Sequence, residues 1–164
     1  MVDLQPVGDI ADSPQPVAPI SDWPSKEKRI FLIEDDNIDI MVFKRALKQL
    51  NIVHNLTIFS NGEEFLSFCE EEPTYPDILF LDLNTPRMNG LELLKVLLPK
   101  RQNQFFPIIV LSTSGDETDV KMAYDFMANG YITKSISFNV FVENIDIVLK
   151  YWDTVKLPKG VNNE

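Results

Sequence analysis

The sequence holds one cysteine, Cys69, and one histidine, His54, among 164 residues. A single thiol excludes an intramolecular disulfide and any cysteine-rich zinc site. A single imidazole excludes multi-histidine metal centres and leaves a Ser-His-Asp arrangement no choice of base. Positive charge is also scarce: 15 Lys and Arg stand against 25 Asp and Glu, a formal net charge of -10. Such a chain repels phosphate backbones, so no nucleic-acid partner is expected. No apolar run approaches the roughly 20 residues of a spanning helix, so no membrane partner is expected either. Met1 to Trp23 has neither a basic start nor an apolar stretch and is not a secretory signal. The lone thiol and the absent signal together point to the reducing cytoplasm.

What is present is ordinary soluble composition, 45% hydrophobic and 24% charged, enough for a real core. Residues 1–25 differ from the rest. They hold five of the 11 prolines (Pro6, Pro14, Pro16, Pro19, Pro24) and four acids, Asp3, Asp9, Asp12 and Asp22. Proline at that density breaks regular structure and the charge opposes collapse, which marks an N-terminal extension. Within it, Ile20 and Trp23 are the side chains that could anchor a docking arm. Residues 26–152 form the expected domain and 153–164 a C-terminal tail.

Inside the domain, short apolar runs alternate with amphipathic stretches. Strands are expected at Arg29–Glu34, Leu56–Phe59, Asp77–Asp82, Pro107–Leu111 and Gly130–Thr133. Helices are expected at Asp39–Leu50, Gly62–Glu70, Leu91–Leu98, Glu117–Met127 and Ser137–Trp152. The runs Ile78–Leu81 and Ile108–Leu111 are continuous rather than alternating, which implies a sheet covered on both faces and hence parallel. Strict β-α alternation gives an α/β fold, a doubly wound five-stranded parallel sheet of the flavodoxin-like (βα)5 kind.

Ligands of such sheets bind beyond the carboxyl ends of the strands. Glu34, Asp35 and Asp36 follow the first strand, Asp82 ends the third, Ser112 and Thr113 the fourth, and Lys134 the fifth. Carboxylates converging on one rim repel one another unless a cation joins them, and a hard divalent ion with oxygen ligands, Mg2+, suits them. Lys134 adds a fixed positive charge and Ser112 a hydroxyl donor. Together they suit a tetrahedral dianion bonded to Asp82, whose carboxylate is the expected nucleophile. Taken singly, each residue could be a turn residue, a helix cap or a solvated surface group; the weight lies in all of them falling on successive strand ends. A nucleotide-binding reading fails, because the first strand leads into three acids rather than Gly-x-Gly.

Four motifs in order carry a resemblance: Phe31-Leu32-Ile33-Glu34-Asp35-Asp36, Leu81-Asp82-Leu83-Asn84-Thr85-Pro86-Arg87-Met88-Asn89-Gly90, Leu111-Ser112-Thr113-Ser114 and Tyr131-Ile132-Thr133-Lys134. The stretch from Lys28 to Trp152 resembles a response-regulator receiver domain of two-component signalling. The resemblance implies Glu34 and Asp35 as the acidic metal pair, Asp82 as phosphoacceptor and metal neighbour, and Asn84 as a metal ligand through its backbone carbonyl. It further implies Ser112 as the switch hydroxyl, Lys134 as the phosphate-binding lysine and Tyr131 as the switch aromatic. Asp36 falls beyond the acidic pair and suits a helix cap. The family's proline after the lysine is Ser135 here. Asp82-Leu83-Asn84 with Pro86-Arg87, Ser112-Thr113-Ser114 and Tyr151-Trp152 is similar to single-domain regulators partnered with bacterial phytochrome kinases.

The implied function is a phosphoacceptor signalling protein, not an enzyme beyond its own phosphorylation and dephosphorylation. It would be served by a histidine kinase, because His54 lacks any context as a donor. Two other readings stand beside it. One is a receiver-like docking module that signals without phosphorylation. The other is a Mg2+-dependent phosphohydrolase, for which a further acid near Asp82 and a covering cap are missing. The final helix carries a wide core face (Phe138, Phe141, Val142, Ile145, Val148, Leu149, Trp152) and a second stripe, Val140, Ile147 and Tyr151. An isolated domain would place polar residues there, so a homodimer through the last helix is expected. Met122 and Phe126 form a weaker stripe on the fourth helix. Past Trp152 no DNA-reading module is expected, and output would pass through protein contacts.

Overall fold

The computed structural model describes residues 27–101, 104–134 and 137–158. The proline-rich extension and the Lys134–Ser135 bond lie outside these residues. Five strands alternate with five helices: β1 (Lys28–Ile33), α1 (Asn37–Gln49), β2 (His54–Phe59), α2 (Gly62–Glu71), β3 (Ile78–Asp82), α3 (Gly90–Leu97), β4 (Ile108–Ser112), α4 (Glu117–Asp125), β5 (Gly130–Thr133) and α5 (Phe138–Thr154). A short 3-10 turn, Leu98–Lys100, follows α3. All pairings are parallel and the strand order is β2-β1-β3-β4-β5.

The continuous apolar runs are explained by two separate cores. Successive side chains of a strand point to opposite faces. Phe31, Ile33, Leu79, Leu81, Ile108 and Val110 pack with Phe65, Leu93, Leu94 and Ala123 under α2, α3 and α4. Ile30, Leu32, Ile78, Phe80, Ile109 and Leu111 pack with Phe43, Leu47, Phe141, Ile145 and Leu149 under α1 and α5. This division by odd and even position matters at the strand ends, because it decides which terminal residues share a face.

Helix ends follow local chemistry. Asp36 caps α1, accepting from the backbone N–H groups of Ile38 and Asp39 at 2.7 and 3.1 Å. Asn89 and Glu92 form a reciprocal capping box on α3. Ser112 and Thr113 do not cap α4; Asp116 does, accepting from Thr118 N–H at 2.8 Å. That bond holds the Asp116 carboxyl below the usual range. The fourth helix stops at Asp125 rather than Met127, because Met127 takes a left-handed conformation (φ 67°) and the Ala128 N–H returns to the Ala123 carbonyl at 3.0 Å. Phe126 is thereby turned onto the core under α4. The last helix runs to Thr154, past the expected end at Trp152, and Asp153 pairs with Lys28, tying the helix end to the start of β1. His54 opens β2 opposite Lys28, at the foot of the sheet and away from the strands' carboxyl ends.

Gly90 shows how tightly the loop after β3 is set. A Cβ there would lie 2.7 Å from the Asp82 carbonyl oxygen and 2.8 Å from Leu83 Cα, both backbone atoms. Gly90→Ala is expected to cost about 2 kcal/mol in urea unfolding. Gly115→Ala, where a Cβ meets nothing within 4 Å, serves as the neutral control. Equal stability of the two variants would contradict this packing.

Candidate functional site

The strand order reverses between β1 and β3, and the site lies at the carboxyl ends of these strands. Glu34 extends β1 by one ladder bond to the Phe59 carbonyl (2.9 Å). Its position continues the even register of Ile30 and Leu32, toward α1 and α5. Asp82 does the same after Ile78 and Phe80, and Lys134 after Ile132. Three strand ends thus converge on one face. There the Lys134 Nζ donates to Glu34 Oε2 at 2.7 Å, Asp39 Oδ2 at 2.6 Å and Asp82 Oδ2 at 3.0 Å.

Asp39 was not among the residues read from the sequence. It lies in the first turn of α1, three residues past the Asp36 cap. The signal was present as register: even positions face α1, and the first turn of α1 offers one acid to them. Asp35, one position out of that register, is exposed and stands outside the trio of Glu34, Asp39 and Asp82. In this geometry Glu34 and Asp39 share the Lys134 ammonium, and Asp35 does not. Asn84 is exposed beside Asp82 and donates its backbone N–H to Asp82 Oδ1 at 2.9 Å.

Burial makes this cluster electrostatically tense. Glu34 and Asp82 are 2% and 5% exposed. Burial, assisted by the Asp82 charge, pushes the Glu34 carboxyl up to about 7, although Lys134 and the Asp36 N–H pull it down. Burial also works against the Lys134 charge, but the bonds to Asp39, Glu34 and Asp82 overcome it and hold that ammonium above the usual lysine range. One ammonium balances one of three carboxylates. One oxygen from each lies within 4.8 Å of the other two, a donor set suited to a hard divalent cation.

The remaining expected residues border this centre. Ser112 is fully buried at the end of β4, its Oγ accepting the Ser114 N–H at 3.1 Å, so its own proton stays available to donate. Its carbonyl accepts the Lys134 N–H at 2.7 Å, which anchors the lysine backbone to β4. Tyr131, half-buried on β5, donates its hydroxyl to the Ser114 carbonyl at 2.8 Å. Thr113 is exposed.

An acid-lined rim on a five-stranded parallel sheet, with a buried hydroxyl and an anchored lysine on adjoining strand ends, defines the class: phosphoacceptor receivers. The sequence profile of the response regulator receiver domain matches residues 30–146, and the chain belongs to that family. Response regulator Rcp1 of Synechocystis is 31% identical over 145 residues, covering 85% of this chain and 99% of that protein. The phosphorylated cyanobacterial phytochrome response regulator RcpA superposes with a TM-score of 0.72 at 30% identity, over 82% of this chain and 100% of that one. The Mn2+-bound form of Rcp1 superposes with a TM-score of 0.68 at 32% identity, over 80% and 99%. No helix among the described residues is long and apolar enough to cross a membrane.

Replacing Lys134 with Met leaves three close carboxylates without their cation. The metal-free variant is expected to lose about 2–3 kcal/mol of unfolding free energy. Millimolar Mg2+ should stabilise it more than it stabilises the wild type, because the ion can take over the role of the ammonium. Urea titrations with and without Mg2+ test this; equal gains in both proteins would show that ion and lysine do not compete for the same carboxylates.

Proposed function

We propose that Asp82 accepts a phosphoryl group from a phosphohistidine of a partner kinase, with Mg2+ held by the rim acids. The observation that carries this reading is the convergence of Glu34, Asp39 and Asp82 on Lys134, with Ser112 buried on the adjoining strand. Glu34, Asp39, Asp82 and the Asn84 backbone are the groups to hold the ion, with Asp35 at the exposed margin. When bound, Mg2+ neutralises charge on the transferring group.

The chain's own residues do the rest. An Asp82 carboxylate oxygen attacks phosphorus, the P–O bond forms and the P–N bond to the donor imidazole breaks, returning that electron pair to the ring. Lys134 releases part of its hold on Asp82 and pairs with the phosphoryl oxygens. Ser112 turns its hydroxyl toward them, and the Ser112–Ser114 turn moves with it. Because Tyr131 is bonded to Ser114, that movement is passed to β5 and to the surface beside α4 and α5. Hydrolysis of the aspartyl phosphate by the same site resets the switch; no separate substrate is turned over.

The donor approaches over the first turns of α1, where Ile38 and Met41 are exposed beside the acids. A phytochrome histidine kinase is the proposed donor, on the similarity to Rcp1 and to the phytochrome regulator RcpA. Two copies of the chain are proposed to meet through α5. The core face expected there is buried or half-buried, whereas Val140, Ile147 and Tyr151 remain 44%, 64% and 57% exposed on the other side.

With an acyl phosphate donor and Mg2+, the wild type should gain acid-labile phosphate and Asp82→Asn should gain none; equal labelling would refute the assignment. Light scattering tests the dimer. Ile147→Lys combined with Tyr151→Lys should halve the mass, and an unchanged mass would exclude this surface.

A further inference from the structure

Three carboxylates share one ammonium at the rim, and they do not hold it on equal terms. Asp39 Oδ2 lies 2.6 Å from the Lys134 Nζ, Glu34 Oε2 2.7 Å and Asp82 Oδ2 3.0 Å. Glu34 and Asp82 stand at the ends of sheet strands, whereas Asp39 comes from α1, 95 residues before the lysine it binds. Exposure separates them as well: the Glu34 side chain is 2% exposed and that of Asp39 39%. The helix dipole favours an acid in the first turn of a helix whatever that acid touches, which accounts for an acid at this place on α1. It does not account for a carboxylate turned onto the lysine that follows β5.

An ammonium has three protons to donate, and Lys134 already has three acceptors. A phosphoryl group on Asp82 therefore obtains the lysine only if existing bonds are given up. The bond to Asp82 is the longest of the three, and phosphorylation itself removes the charge that holds it. Of the other two partners, Glu34 is nearly sealed from water, and a carboxylate left there without a cation is strongly disfavoured. Asp39 is open enough for water to take the place of the ammonium, so its pair with Lys134 is of the weak, exchangeable kind. Asp39 is thus the arm that can let go. Until it does, its short bond keeps the Nζ drawn toward α1.

We propose that Asp39 is a positioning residue, a releasable latch that holds Lys134 toward α1 and so favours the unphosphorylated protein over the phosphorylated one. The proposal rests on the reading of Asp82 as phosphoacceptor and adds the regulation of that site. Asp39 does not touch the phosphoryl group. Its charge acts through the lysine, and it sets how much donor is needed before half of the protein is phosphorylated.

Asp39→Asn in the full-length chain keeps the size of the side chain and removes its charge. In the metal-free protein without donor, the Lys134 ammonium protons observed by NMR should exchange faster in Asp39→Asn than in the wild type. Asp35→Asn, whose carboxylate is not among the partners of the lysine, should leave that exchange unchanged. With acetyl phosphate, at Mg2+ concentrations that saturate each protein, the donor concentration that labels half of Asp82 should fall about threefold in Asp39→Asn. A role for Asp39 in stabilising the helix alone would move neither reading. Lys134 exchange as in the wild type, an equal effect of Asp35→Asn, or a half-point that is unchanged or raised would overturn the latch. Asp82→Asn reports separately on the phosphoacceptor, so a failed latch with Asp82 still labelled is distinguishable from a wrong phosphoacceptor.

Discussion

One half-buried ammonium organises the acidic end of this molecule. Lys134 is held by Glu34, Asp39 and Asp82, groups drawn from β1, α1 and β3, while its own backbone is fastened to β4. Without a cation at that point, three close carboxylates in a largely dry setting would repel one another and force either protonation or local opening. With it, the site is assembled but still carries excess negative charge. Burial first, and the nearby Asp82 charge to a lesser degree, raises the Glu34 carboxyl. The arrangement is therefore both stable enough to be ordered and charged enough to attract a divalent ion, and in the proposed phosphotransfer the lysine would exchange carboxylate partners for phosphoryl ones.

The fold serves this by register. The even positions of β1, β3 and β5 supply the core under α1 and α5 and then, one step past the apolar run, supply Glu34, Asp82 and Lys134. The same alternation that buries Ile30, Phe80 and Ile132 on one face aims the reactive groups at that face. Gly90 allows the loop after Asp82 to close against its own strand, and the Asn89–Glu92 capping box then starts α3 at once. The link from the Ser112–Ser114 turn to the Tyr131 hydroxyl connects this centre to the edge strand, so a change of bonding at Asp82 has a mechanical route outward.

Much of this was legible in the sequence. The runs Ile78–Leu81 and Ile108–Leu111 announced buried parallel strands, and three of the residues closing the strands, Glu34, Asp82 and Lys134, do meet at one rim. Asp36 was readable as a helix cap because an acid preceded a helical period. What was not legible depended on three-dimensional register or on backbone torsion. Choosing Asp39 over Asp35 as the close partner of Glu34 requires knowing which sheet face α1 covers. The stop at Asp125 is set by the left-handed turn at Met127, a non-glycine residue that gives no sequence warning. The extension of α5 to Thr154 rests on a Lys28–Asp153 pair between residues far apart in the chain.

The lysine itself offers the most direct test of this account. Nitrogen-detected NMR of lysine ammonium groups in the metal-free protein should show Lys134 as a distinct, slowly exchanging signal, absent from Lys134→Met, because three carboxylates hold its protons. A spectrum in which every lysine exchanges rapidly with water would mean that the ammonium is not confined at the rim, and the electrostatic basis of the site would be wrong.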